Sequence, residues 1–101
     1  MIDGVKVKMG GKDYVVPPLT FKFLRNLESK LKKISEISGV PTGEQIEAVV
    51  EIVHGALVRN YPEITTNEVE DLVDMGNIST VIQAIMGASG IIPKGEAKAV
   101  S

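Results

Sequence analysis

Ile46-Glu47-Ala48-Val49-Val50-Glu51-Ile52-Val53-His54-Gly55-Ala56-Leu57-Val58 decides how this chain must fold. Apolar residues at 46, 49, 50, 53, 57 and 58 recur at the spacing of one broad helical face. Ala48, Ile52 and Ala56 widen that face, so Glu47, Glu51 and Arg59 supply nearly all of its polar perimeter. A helix this apolar has to be covered on most sides, and the remaining segments must provide the cover.

Outward from this helix the punctuation is clear. Thr42-Gly43-Glu44-Gln45 has the spacing of a capping box, in which Thr42 accepts from the Gln45 N–H and Gln45 reaches back. The central helix is therefore expected over about 43–60, closed by Asn60-Tyr61-Pro62. Thr65 and Glu68 form a second box, predicting a short helix over 67–74 with Val69, Leu72 and Val73 inward. Met75-Gly76-Asn77 interrupts it, and Ile78, Val81, Ile82, Ile85 and Met86 mark a last helix over 78–88. On the N-terminal side, Leu24, Leu27, Leu31 and Ile34 line one seam of a helix expected over 21–37, with Thr20 as its N-cap. Ser38-Gly39-Val40-Pro41 breaks the chain before the central helix.

The first residues read differently. Val5-Lys6-Val7-Lys8-Met9 alternates apolar and charged positions, Tyr14-Val15-Val16 is rich in strand formers, and Gly10-Gly11 lies between them. This predicts a hairpin over 5–16, since a tight turn needs positive φ at both central positions. Lys6 and Lys8 protect its edge, and Pro17-Pro18 ends its second strand. The fold class is thus α+β, mainly α: an N-terminal hairpin and about four helices packed around the central one, forming a single domain over 1–92. Residues 93–101 are expected to be a flexible tail.

Composition excludes much. The 101 residues contain no Cys, which removes disulfides, thiolate metal sites and cysteine nucleophiles. No apolar run reaches the roughly 20 residues that span a bilayer, and Met1-Ile2-Asp3-Gly4 does not open a signal peptide; a soluble cytoplasmic protein is expected. His54 is the one histidine, insufficient for a zinc site and more naturally a packed side chain bonded to a neighbouring backbone or carboxylate group. Glu68, Glu70, Asp71 and Asp74 share one short helix, where they diverge into solvent rather than converge on a cation. Gly10-Gly11-Lys12 lacks the spacing of a phosphate loop. No catalytic residue, cofactor or metal is expected.

Charge is unevenly placed. Residues 1–33 carry eight basic and three acidic side chains, and the remainder three basic and ten acidic. The plain reading is two solvated faces of one domain. The sharper one is head-to-tail docking into a homo-oligomer, or a basic end offered to an acidic partner. A pI of about 5.4 and four aromatic residues in all argue against a nucleic-acid platform.

Two stretches resemble a known family. One is Gly11-Lys12-Asp13-Tyr14-Val15-Val16-Pro17-Pro18-Leu19-Thr20-Phe21 with the helix that follows; the other runs from Asn60-Tyr61-Pro62 through Asp71-Leu72-Val73-Asp74 to Asn77 and then 81–90. Together they are similar to the small tail assembly chaperones of long-tailed bacteriophages and Mu-like prophages. That resemblance implies a non-enzymatic protein that binds the tape-measure protein, shields its apolar helices and helps recruit tail-tube subunits in the host cytoplasm. It also implies that a frameshifted longer form can exist. Partner contact is expected on the hairpin and first helix, at Tyr14, Val16, Leu19, Phe21, Phe23 and Arg25, with one of Phe21 and Phe23 facing outward. The competing expectation is a small self-associating adaptor with no tape-measure partner.

Overall fold

The structure, a computed structural model, describes residues 1–90. Two antiparallel strands, β1 (Val5–Met9) and β2 (Lys12–Val16), precede five helices: α1 (Phe21–Leu24), α2 (Leu27–Ser35), α3 (Gly43–Leu57), α4 (Thr66–Leu72) and α5 (Ile78–Ala88). The α+β, mainly helical class is as expected. The tail assigned to 93–101 lies outside the described residues, as do Ile91 and Ile92.

In the hairpin Met9 pairs with Lys12 and Val5 with Val16, leaving a two-residue turn. Gly10 and Gly11 take φ of 56° and 80°, the positive pair such a turn demands. The register places Val7, Met9, Tyr14 and Val16 on one face, which rests on α5 and α3, while Lys6 and Lys8 face away. This answers how a two-stranded ribbon, marginal by itself, is stabilised.

α3 is the hub, packed by α2, α4, α5 and β2. Ile52, Val53 and Leu57 are fully enclosed, and Ala48, Val49, Val50 and Ala56 are buried around them. Both capping boxes form: the Gln45 N–H donates to Thr42 Oγ1 at 3.2 Å and the Thr42 N–H to Gln45 Oε1 at 2.9 Å. At α4, the Glu68 N–H donates to Thr65 Oγ1 at 3.1 Å and the Thr65 N–H to Glu68 Oε1 at 3.2 Å.

Three boundaries differ from the sequence expectation. The helix predicted over 21–37 is two helices. Asn26 leaves the helical region for φ −109° and ψ 4°, and its N–H bonds the Phe23 carbonyl instead of continuing the ladder. Asparagine readily trades helix for such local arrangements. The break lets Phe23 lie across Gly55 of α3 while Leu27 stays in the core. α3 ends at Leu57 rather than near 60, because Val58 caps it and Asn60 turns toward the hairpin. α4 ends at Leu72 rather than 74, because Val73 is extended and Asp74 belongs to the next turn.

Candidate functional site

Residues of both quoted stretches act as structural fasteners. Asn60 Nδ2 donates to Ile2 O at 2.8 Å and Val15 O at 3.1 Å, and Asn60 Oδ1 accepts from the Ile2 N–H at 2.6 Å. Tyr61 Oη accepts from the Val15 N–H at 2.9 Å, and its ring meets Tyr14 edge-on at 5.3 Å. The Asn60-Tyr61 pair thus ties the hairpin to the end of α3. Asp74 and Asn77 do the same for the turn between α4 and α5. Asp74 Oδ1 accepts from the N–H groups of Gly76 and Asn77, both at 2.8 Å. Asn77 Oδ1 accepts from the Asp74 N–H at 2.9 Å, and Asn77 Nδ2 donates to Leu72 O at 2.9 Å. Three of these bonds lie within Asp74–Asn77 and the fourth ties it back to Leu72, fixing the backbone on either side of Met75. Met75 stands 61% exposed.

Met75 is one wall of an apolar groove. Ile37, Ile46, Val50, Val73 and Ile78 line a cleft of about 260 Å³ with it, and Pro41 closes the end. Ile37, Met75 and Ile78 continue into a second hollow of about 310 Å³ completed by Ile34 and Ile82. The floor is therefore one apolar strip crossing from α3 over the Asp74–Asn77 turn to α5. Glu70 and Asp74 stand at its rim. Ile46, 41% exposed, and Val40, 89% exposed, add apolar surface beside it. Ile46 belongs to the face expected to be covered. The cover reaches Ala48 and stops.

The six residues expected to meet a partner are scattered. Val16 and Leu19 are buried in the core, and Leu19 is fixed there by its N–H donating to Ser89 Oγ at 2.9 Å, so neither side chain is free to meet another protein. Tyr14 is half-buried beside Tyr61. Phe23 is half-buried against Gly55, so close that a Cβ at position 55 would collide with its ring, and Lys30 Nζ lies 5.8 Å from the ring centre. Phe21, by contrast, is 89% exposed, and Arg25 is exposed one turn beyond it. Of the set, Phe21 and Arg25 alone form an open patch.

His54 Nε2 donates to the Ile64 carbonyl at 3.0 Å, tying α3 to the segment before α4. Glu51 sits instead beside Lys30, 3.9 Å away. Among the described residues, no group of three or more His, Asp or Glu side chains converges as a metal site, and no helix is long and apolar enough to cross a membrane.

Sequence reasoning finds Ile34, Ile46, Val50, Val73, Ile78 and Ile82 by helical periodicity, as residues expected to be covered, but gives no sign that they leave a groove between them. Val40 and Met75 lie in breaker segments, yet both are large and apolar where turn chemistry asks only for small or polar residues. That mismatch is the available signal. No family model, curated protein or solved structure matches the chain.

Proposed function

We propose that this protein is a non-enzymatic assembly chaperone that receives an apolar helix of its partner in the groove between Ile46, Met75 and Ile82. The supporting observation is the groove itself: a continuous strip of aliphatic and methionine side chains, open to solvent and with carboxylates among its lining. An amphipathic helix lays its apolar face into such a surface, with specificity from the charges alongside. Glu70 and Asp74 favour a helix carrying lysine or arginine beside its apolar stripe. Methionine suits a site that must accept varied apolar faces, because its unbranched side chain adapts.

The resemblance to phage tail assembly chaperones supplies the identity of the partner: a tape-measure protein, long and helical, with tail-tube subunits recruited later, in the cytoplasm of the bacterial host. The contact surface expected from the sequence moves accordingly, from the hairpin and first helix to the groove.

The test is co-expression with the tape-measure protein encoded nearby. Soluble co-purification is expected, lost when this chain is omitted and reduced at least about tenfold in affinity by Ile46→Ser with Met75→Ser, since each large apolar anchor is worth roughly 1.5–3 kcal/mol when fully buried. A tape-measure protein that stays insoluble beside the intact chain rejects the reading and leaves the adaptor alternative.

A further inference from the structure

A second surface of this protein complements the groove. Phe21 projects into solvent from α1, and Arg25, four residues on, shares its face of the turn. Lys22 is exposed beside them, and Lys30 and Arg59 line the adjoining hollow over Gly55 and Val58. Phe21 is thus an exposed aromatic side chain with the exposed cations Lys22 and Arg25 next to it in the same turn, while Lys30 is held by Glu51 and Phe23 and Arg59 donates to the Pro18 carbonyl. The groove is a slot of matching character: apolar within, with Glu70 and Asp74 at the rim. Its first cleft, about 260 Å³, exceeds the roughly 150 Å³ cavity that holds a benzene ring.

The two surfaces cannot meet within one molecule. Phe23, anchored over Gly55, holds α1 at the C-terminal half of α3, whereas Ile46 opens the groove in its first turn. Nine residues of helix separate Gly55 from Ile46, about 14 Å along the axis. Phe21 can therefore reach such a groove only on another copy.

We infer that a second copy of this chain docks head-to-tail, placing its Phe21 in the groove beside Met75 and its Arg25 against Glu70. The contact is heterologous: it uses different patches on the two partners, leaves one of each unsatisfied at the ends, and so grows beyond a dimer or closes into a ring. It requires no tape-measure partner, although the two would use the same groove. The uneven charge of the chain gives the association its direction, because a parallel or face-to-face pairing sets like charges together.

The test is sedimentation velocity of the purified full chain over a micromolar-to-millimolar series, at low salt and at about 1 M salt, where the screening length falls to roughly 3 Å. Association is expected to rise with concentration beyond a dimer and to weaken with salt. Phe21→Ser and Met75→Ser should each weaken it roughly tenfold or more. Both positions are exposed, so circular dichroism and urea midpoints should stay at wild-type values. The decisive arm is a charge swap. Arg25→Glu and Glu70→Arg should each fail to associate alone, and mixing the two variants should restore association, since each then finds an opposite charge across the interface. A chain that remains monomeric at millimolar concentration and low salt overturns the inference. So does an oligomer indifferent to Met75→Ser but lost with Phe21→Ser, which would have Phe21 meeting its own counterpart, or a swap mixture that stays monomeric.

Discussion

Gly55 sits in the middle of the most important helix, where glycine costs about 1 kcal/mol relative to alanine. Considered as a helix position alone, Gly55→Ala should stabilise the protein by that amount. The packing says otherwise. A Cβ at this position would overlap Phe23 Cε1 and lie 2.6 Å from Cζ, so the ring must leave. A phenylalanine side chain gives roughly 1.5–3 kcal/mol when fully covered, and Phe23 is partly covered. Its contact with Lys30 contributes about 0.5–1 kcal/mol more. Loss of the ring's packing outweighs the gain in helix propensity, and the net expectation is destabilisation by about 0.5–2 kcal/mol. A double-mutant cycle in urea isolates the reason. In a Phe23→Ala background the obstacle is gone, and Gly55→Ala should then stabilise by about 1 kcal/mol, giving a coupling of roughly 1.5–3 kcal/mol. Stabilisation by the full ~1 kcal/mol in the wild-type background would refute the account. The cycle also tests what aims Phe21. If Phe23 is the anchor, evicting it frees α1, and self-association should weaken in Gly55→Ala although Phe21 is untouched.

Two further predictions concern local fasteners. Thr42→Ala and Thr65→Ala each remove the acceptor of a capping box and should cost about 1 kcal/mol in urea denaturation, with additive effects because the two boxes share no partner. Asn77→Ala removes both the acceptor for the Asp74 N–H and the donor to Leu72 O, which should cost about 1–3 kcal/mol; hydrogen exchange should show the loss of protection confined to the α4–α5 turn, with groove binding weakened alongside.

How much of this is legible in the sequence follows from the range of each interaction. The Gly10-Gly11 turn, both capping boxes and the central helix are set by residues close to one another in the chain, and local pattern finds them. The break at Asn26 is different. Its local signal is one weak helix former, and its benefit, Phe23 reaching Gly55, spans 32 positions. Leu19 is expected from the sequence to meet a partner; its backbone is in fact bonded to Ser89, 70 positions away, and its side chain is buried. Ile46 escapes for another reason. Periodicity aligns residues on one face of a helix but does not say how far the neighbouring helices extend to cover it. α4 and the turn after it leave the first turn of α3 partly open, and the groove is what remains. Its residues are therefore visible one at a time, as Met75 in a breaker and as apolar positions of α2, α3 and α5, without any sign that they meet.

Two proposed occupants of one groove would compete, and the competition has a sign. A partner helix lying from Ile46 to Ile82 covers the place proposed for Phe21, so each partner bound removes one head-to-tail contact. By mass action the apparent affinity for partner then falls as the chain's own concentration rises, and oligomers shorten as partner is added. Phe21→Ser separates the two effects cleanly. It leaves every groove residue in place, so it should tighten apparent partner binding at high chain concentration and leave it unchanged at low concentration, where little self-docking exists to displace. A titration of the wild-type and Phe21→Ser chains with one fluorescent tape-measure helix, at two chain concentrations, reads this directly. Equal affinities for the two chains at both concentrations, with the wild type oligomeric, would mean that Phe21 and the partner helix occupy different surfaces.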